Sequence, residues 1–323
     1  MTRWSRALAL LLSLVLGGCA SQRELVSGAP SMQGRTTPVE LAATPFFPDD
    51  TMHCGPAALA TVLGAAGVPA QPEQLATEVY TPGLGGSLQL ELVAAARGRG
   101  LVPYELPPEA DALFAELVAG RPVLVLQNLR LRTLPAWHYA VVVGADPATE
   151  TVILRSGTEE RLMTPAGEFM RSWALAERWG LVLLPPGELP AALDRKRYFE
   201  AAAGLEATGR HAEAALAWAA ALAPWPDDTV ALFGRATASH LAGDYATAYD
   251  GYLALLVLEP AHAAGLNNLA DLLAGHGCPV AARVLAQRAL TAAAPGGAIA
   301  AAAEDTLAGL SAGTAEGAAC RLP

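Results

Sequence analysis

A cysteine at the start of a predicted helix and a histidine at the start of a predicted strand could carry chemistry in this sequence. Cys54 opens a Cys-Gly-Pro-Ala-Ala segment, and Pro56 fits the first helical turn, where its missing N–H is not needed. The positive end of a helix dipole stabilises a thiolate, the reactive form of cysteine. His138 begins an apolar run 84 positions after Cys54. The pair predicts attack of the Cys54 sulfur on a carbonyl carbon, with His138 protonating the leaving group.

The elements needed to position this pair follow an α+β order, with helices first and strands after. Apolar periodicity predicts helices at residues 56–66, 73–79, 88–99 and 111–119, and strands at residues 123–126, 139–143, 151–154 and 179–184. A histidine at a strand start can reach a helix N-terminus that lies across the sheet. A proline-rich stretch then marks the end of this domain. We place the domain at residues 39–186 and a linker at residues 187–195.

The second half of the chain repeats with a period of 34 residues. The aligned columns are Gly209, Gly243 and Gly277; Ala202, Ala236 and Ala270; Ala214, Ala248 and Ala282; Leu222, Leu256 and Leu290; and Tyr198, Leu232 and Leu266. This pattern resembles the tetratricopeptide repeat, in which two antiparallel helices meet through small residues. We expect three such repeats at residues 196–295 and a C-terminal tail at residues 296–323. Repeats of this kind present a concave surface, so we expect them to bind a substrate or a protein partner.

The segment around Cys54 resembles the bacteriocin leader peptidases, the double-glycine-cleaving branch of the papain-like cysteine peptidases. Residues 80–88 also look like the loop that these proteins carry after their second helix, and His138 stands at a strand start as in the same family. The resemblance implies a papain-like α+β fold for residues 39–186. It also implies cleavage of a peptide or protein substrate by Cys54 and His138.

Two positions depart from the pattern of that family. Asp49 lies five residues before Cys54, where the family has a glutamine whose amide binds the oxyanion. A carboxylate only accepts hydrogen bonds, so either Asp49 is displaced or protonated, or another donor serves, or turnover is slow. The second departure is the missing carboxylate that orients the histidine ring in the family. Ser156 could accept the imidazole N–H instead, and Gln127 and Asn128 are further substitutes.

The N-terminus has the layout of a secretory signal peptide. Arg3 and Arg6 precede an apolar run at residues 7–16 that is too short to span a bilayer comfortably. The Leu-Gly-Gly-Cys sequence that ends at Cys19 resembles the lipobox of bacterial lipoproteins. The resemblance implies cleavage before Cys19 and acylation of this residue.

Export and acylation predict how the protein is held in the cell envelope. We expect a signal peptide at residues 1–18, a tether with little order at residues 19–38 and a membrane anchor through lipid on Cys19. The folded part would face the periplasm. By resemblance to sorted lipoproteins, Ala20 implies the outer membrane if the cell has two membranes.

Composition and cysteine spacing exclude several classes of protein. The formal net charge of -10 argues against a nucleic-acid partner. No two cysteines have Cys-x-x-Cys spacing, and the histidines show no metal-ligand spacing, so we predict no metal site. The chain also lacks a Gly-x-x-x-x-Gly-Lys motif, so it is not a leader peptidase fused to its transporter, and we predict no cofactor.

Cys278 and Cys320 are left over from these assignments. An exported compartment oxidises cysteine pairs that can meet, so we predict a disulfide that ties the tail to the third repeat. Two unpaired thiols are the alternative. The leading expectation for function is a membrane-anchored cysteine peptidase of the cell envelope. The alternative is a catalytically inactive lipoprotein with a peptidase fold that serves as a peptide-binding or assembly scaffold.

Overall fold

The computed structural model describes residues 24–49, 53–312 and 320. The predicted signal peptide and the predicted lipidation site at Cys19 lie outside the described residues. The described chain begins as a mixed α+β structure with one sheet and continues as a series of helices, so the expected fold class is confirmed at this coarse level. Among the described residues, no helix combines the length and apolar character needed to cross a membrane.

The first part of the described chain forms one antiparallel sheet with helices on both sides. The strands are β1 (Val39–Glu40), β2 (Val102–Glu105), β3 (Val123–Asn128), β4 (Trp137–Asp146), β5 (Thr151–Ser156), β6 (Glu159–Pro165) and β7 (Gly180–Leu184). The helices are α1 (Cys54–Ala65), α2 (Pro72–Val79), α3 (Gln89–Gly98), α4 (Ala110–Val118) and α5 (Ala166–Ala174). The strand order is β2-β7-β3-β4-β5-β6, and β1 pairs with β4. Strand β4, which carries His138, therefore lies inside the sheet.

Alternate residues of β3, β4, β5 and β7 face two separate hydrophobic cores, as the two-residue period of a strand requires. In β3, Val123 and Val125 belong to the core that includes α4 and α5, whereas Leu124 and Leu126 belong to the core that includes α1, α2 and α3. Helix α1 is buried at every position from Gly55 to Leu63. This enclosure fixes the helix whose first residue is Cys54.

Every helix and strand predicted in this part is present, with shifted ends, but β1, β2, β6 and α5 were missed. Strands β2 and β6 are the two edges of the sheet. Edge strands carry prolines and charges that prevent pairing with other chains, and these residues hide the apolar alternation of a strand. Pro103 in β2 and the Glu-Glu-Arg sequence at the start of β6 are of this kind.

The expectation of little order in the tether was wrong for residues 24–38. The Glu150 carboxylate accepts hydrogen bonds from the three backbone N–H groups of residues 25–27, at 2.7 to 2.9 Å. Val26 and Met32 are fully buried in the same core as α4. One carboxylate and two apolar side chains thus hold a segment whose sequence shows no apolar periodicity.

The second part of the described chain is all helical. Its helices are α6 (Arg195–Ala207), α7 (His211–Ala221), α8 (Thr229–Ala242), α9 (Tyr245–Leu258), α10 (Ala263–Gly275), α11 (Pro279–Ala292) and α12 (Ala298–Ala312). The helices α6, α8 and α10 begin 34 residues apart, and so do α7, α9 and α11. The period found in the sequence is therefore a period of helical pairs.

The aligned columns of small residues occupy the tightest places in these pairs. Gly209, Gly243 and Gly277 have φ angles of 74°, 84° and 73°, in the left-handed region that side chains with a Cβ disfavour. Each glycine lies between the two helices of a pair. The alanines of the two aligned columns are fully buried: Ala202, Ala236, Ala270, Ala214, Ala248 and Ala282.

The helical part packs directly on the sheet. Tyr198 of α6 and Tyr104 of β2 are fully buried in one core. The Tyr104 hydroxyl donates to the Ala192 carbonyl at 2.7 Å and accepts from the Asp194 N–H at 2.9 Å. The fully buried carboxylate of Glu116 accepts two further N–H groups from the same segment. The segment predicted as a linker is therefore held on the sheet by hydrogen bonds.

A disulfide joins Cys278 to Cys320, with a Cα–Cα distance of 4.5 Å. Cys278 is the residue before α11, so the bond attaches the end of the chain to the turn of the third helical pair. The two cysteines are 42 positions apart in sequence. A cross-link across a loop of this length stabilises a fold by roughly 4 kcal/mol in the chain-entropy description.

We predict that the double variant Cys278→Ser, Cys320→Ser lowers the free energy of unfolding by roughly 2–4 kcal/mol, because the unfolded chain regains the freedom that the cross-link removes. Chemical denaturation followed by circular dichroism measures the change. A reductant should destabilise the wild type to the same extent and leave the double variant unaffected. An unfolding midpoint of the wild type that is insensitive to reductant would contradict this role of the bond.

Candidate active site

Cys54 lies at the N-terminus of α1, at the mouth of a cleft. It is half-buried, and it is the free cysteine among the described residues. Cys54 packs against the hydrophobic core that contains Tyr139. Tyr139 is the residue after His138 in β4. Cys54 therefore lies beside the strand that carries the imidazole with which the sequence paired it.

His138 is half-buried near the start of β4 and lines the same cleft as Cys54. Its ring Nε2 lies 2.8 Å from the Ser156 hydroxyl oxygen. This contact orients the ring and leaves Nδ1 as the nitrogen for proton exchange with the cleft. The hydroxyl thus stands where sequence reasoning placed an orienting partner.

Gln127 and Asn128, the other candidates for orienting the ring, are engaged elsewhere. The Gln127 amide donates to the Ser172 hydroxyl at 2.7 Å. The Asn128 side-chain oxygen accepts the N–H groups of Arg130 and Ala136, at 3.1 and 3.0 Å. Asn128 therefore stabilises the loop that leads into β4, and the structure assigns contact with the His138 ring to Ser156 instead.

The cleft has a volume of about 1040 Å³. Its lining includes Cys54, His138, Asp49, Ser87, Trp179 and Arg197. Residues 84–89 form one wall, and residues 175–179 form another. Arg197 belongs to α6, so the first helix of the helical part also borders the cleft. A space of this size accommodates several residues of an extended peptide.

The environment of Cys54 favours the neutral thiol. Burial raises the pKa of the Cys54 thiol most, and the Asp49 carboxylate raises it further, while the N–H groups of Tyr139, Gly55 and Cys54 lower it. The balance is a raised pKa. The expectation that the helix N-terminus stabilises the thiolate was therefore wrong in its net direction, because burial outweighs the backbone amides.

The environment of His138 favours the neutral imidazole. Burial lowers the pKa of the ring, and the charge of Asp49 raises it by a smaller amount. A raised pKa of the thiol and a lowered pKa of the imidazole together disfavour the thiolate and imidazolium pair at rest. A nucleophilic attack from such a resting pair would require the proton to move from sulfur to nitrogen as the new bond forms.

Asp49 borders the candidate site. It lines the same cleft as Cys54, and its charge acts on the pKa of both Cys54 and His138. Its backbone N–H donates to the Gly157 carbonyl at 2.9 Å, which holds this segment next to the strand end that carries Ser156.

Several residues of the cleft were not predicted as site residues from the sequence. One is Ser87 in a loop, another is Trp179 just before β7, and a third is Arg197 in α6. These residues are far apart in sequence, and only the fold of the chain brings them together.

Among the described residues, no group of three or more His, Cys, Asp or Glu side chains could hold a metal ion.

Comparison with known proteins gives likenesses at low sequence identity. No family model matches the chain, and no curated protein sequence matches it. A solved structure from Bacillus anthracis, described as a C39-like peptidase, is similar over 46% of this chain and 97% of its own, with 18% identity and a TM-score of 0.41.

Two further solved structures are of the type III secretion translocator chaperone SycD from Yersinia enterocolitica. The first is similar over 36% of this chain and 82% of its own, with 15% identity and a TM-score of 0.34. The second holds SycD in complex with a peptide of the translocator YopD and is similar over 36% of this chain and 91% of its own, with 15% identity and a TM-score of 0.34.

We predict that alkylation of Cys54 by iodoacetamide rises with pH to a midpoint above the ~8.5 of an unperturbed cysteine, because only the thiolate reacts. Asp49→Asn should shift that midpoint downward, since it removes a charge that raises the thiol pKa. Mass spectrometry of the labelled Cys54 peptide measures the rates. Glu177→Gln, which removes a carboxylate from another wall of the cleft, is the matched control. Equal midpoints for the wild type and Asp49→Asn would show that the Asp49 charge does not raise the pKa of the Cys54 thiol.

Proposed function

We propose that this protein is a cysteine peptidase that cleaves peptide or protein substrates at the cell envelope. The observation that carries the proposal is that Cys54 and His138 line one cleft. The fold thus brings a nucleophile at a helix N-terminus and an imidazole near the start of β4 to the same surface. The cleft that both side chains line is large enough for a peptide.

The arrangement supports covalent catalysis that starts from a neutral pair. The Cys54 sulfur forms a bond to the carbonyl carbon of the substrate while His138 accepts the thiol proton. The tetrahedral intermediate then collapses, the C–N bond breaks, and His138 gives the proton to the leaving amine. Water then attacks the thioester carbon while His138 accepts a proton from it. The C–S bond breaks, the carboxylic acid leaves, and His138 returns the proton to the Cys54 sulfur.

We propose a papain-like domain at residues 39–186 and three tetratricopeptide repeats at residues 196–295, with residues 187–195 between them. The mixed sheet and helices support the first assignment, and the 34-residue spacing of helix starts supports the second. The repeats would bind a substrate or a protein partner. A lipid on Cys19 would anchor the protein, facing the periplasm, to the outer membrane of a cell with two membranes.

A catalytically inactive scaffold is the second candidate function. The raised pKa of Cys54 and the lowered pKa of His138 favour it, because both shifts oppose the reactive ion pair. Asp49 favours it as well, since a carboxylate near a developing oxyanion repels the negative charge. Such a protein would hold a peptide in the cleft without cleaving it.

We predict that Cys54→Ala and His138→Ala both abolish labelling by a peptidyl acyloxymethyl ketone, a probe that requires a nucleophilic thiol and its proton-exchange partner. Gel fluorescence and mass spectrometry of the full chain measure the labelling. Cys278→Ser together with Cys320→Ser should label like the wild type, because that pair lies outside the cleft. If the wild type and Cys54→Ala label alike, the peptidase proposal fails and the scaffold remains.

We predict a smaller effect for Ser156→Ala, because this change removes only a neutral hydrogen bond to the ring. Loss of a hydrogen bond of about 0.5–1.5 kcal/mol corresponds to a decrease in kcat of roughly twofold to tenfold. Ser156→Asp should raise the pKa of His138, and the acid limb of the pH–rate profile should move to higher pH. An acid limb that stays in place in Ser156→Asp would show that Ser156 does not control the ring.

A further inference from the structure

We propose that the Ser87 hydroxyl donates a hydrogen bond to the oxyanion that forms when Cys54 attacks a substrate carbonyl. This inference rests on the proposed peptidase function and assigns a catalytic residue to it. It answers the question that Asp49 raises, since a site with a carboxylate at the usual donor position needs another donor.

The Ser87 hydroxyl is buried and has no hydrogen-bond partner among the described residues. A buried hydroxyl without a partner costs free energy, so such groups in folded proteins generally serve a purpose. Ser87 lines the cleft that contains Cys54 and His138. The free donor is thus part of the wall of the proposed site.

Gly55 makes room for this hydroxyl directly beside the nucleophile. A Cβ atom on Gly55 would lie 2.5 Å from the Ser87 hydroxyl oxygen and 2.7 Å from its Cβ. Gly55 follows Cys54 at the start of α1, and its backbone N–H lowers the pKa of the Cys54 thiol. When this sulfur attacks a carbonyl carbon, the carbonyl oxygen develops its negative charge close to the same helix N-terminus. The Ser87 hydroxyl and the backbone amides can both donate to the oxygen there.

The loop that carries Ser87 is held firmly against the site. The Tyr139 hydroxyl donates to the Ser87 carbonyl at 3.1 Å, which ties the loop to the strand of His138. The Glu91 carboxylate accepts from the Thr81 hydroxyl at 2.7 Å and from the Leu88 N–H at 2.8 Å, so it closes both ends of the loop. Preorganisation of this kind is what makes an oxyanion donor effective.

The hydroxyl acts without a change in its own bonds. As the Cys54 sulfur bonds to the carbonyl carbon, the π electrons of the carbonyl group move onto its oxygen, and the Ser87 O–H donates to that oxygen. When the intermediate collapses, the electrons return to re-form the carbonyl and the leaving group departs with the proton that His138 supplies. Ser87 keeps its proton throughout.

Two reactions of the same thiol test the assignment. Acylation of Cys54 by p-nitrophenyl acetate passes through an oxyanion, whereas alkylation by iodoacetamide does not. We expect Ser87→Ala to reduce the ratio of the acylation rate to the alkylation rate by about 10², the effect of one lost oxyanion donor. Rates in Cys54→Ala are subtracted. The ratio cancels changes in thiolate fraction, and an unchanged alkylation rate shows that the site is folded.

Three further variants separate the donor from the loop. Gly55→Ala should lower the ratio as Ser87→Ala does, because its Cβ displaces the hydroxyl. Asp49→Gln should restore the ratio in the Ser87→Ala background, because it supplies an amide donor. Thr81→Val removes a hydroxyl that helps to hold the same loop but keeps the Ser87 donor, so it should lower the ratio less than Ser87→Ala does.

The outcomes distinguish this inference from the function on which it rests. If the wild type is acylated and Ser87→Ala has the same ratio of acylation rate to alkylation rate, the role of Ser87 is overturned. The peptidase proposal then still stands. A wild type that is alkylated but never acylated overturns both. If Thr81→Val lowers the ratio as much as Ser87→Ala does, and Asp49→Gln does not restore it in the Ser87→Ala background, the role of Ser87 is structural. That result also overturns the inference.

Discussion

The site depends on a helix that is buried along most of its length and open at its first residue. Helix α1 is enclosed from Gly55 to Leu63, so it cannot slide or rotate without exposing apolar surface, at about 0.8 kcal/mol for each methylene. The core therefore fixes the position of Cys54. Because Tyr139 of β4 belongs to the same core, the core also fixes α1 relative to the strand of His138. Packing, rather than any loop, sets the geometry of the pair.

The burial that fixes the pair also makes its proton transfer harder. It raises the pKa of the Cys54 thiol and lowers that of the His138 imidazole. Asp49 raises both pKa values, so it favours the protonated form of each group. A site that retains its protons relies on stabilisation of the transition state more than on a reactive ground state. For the peptidase proposed above, donors around a developing oxyanion would therefore matter more than in a site with a preformed ion pair.

The features that the sequence predicted well are those set by local geometry. A left-handed turn selects glycine, so Gly209 and its two counterparts revealed the period of the helical pairs. The start of α1 followed from Pro56. The direction of the Cys54 pKa shift did not follow, because burial sums over residues far apart in the chain. Nor did the order of residues 25–27, which depends on Glu150, more than a hundred positions away.

The two parts of the chain are distinct in sequence pattern but not in their packing. One hydrophobic core extends from the sheet through Tyr198 to Trp218 of α7. The Tyr104 hydroxyl and the Glu116 carboxylate hold the intervening segment, and Arg197 of α6 borders the cleft. Because α6 is both the first helix of the array and a wall of the cleft, the proposed partner of the array would be placed at a fixed orientation to Cys54. The array thus contributes to the shape of the cleft.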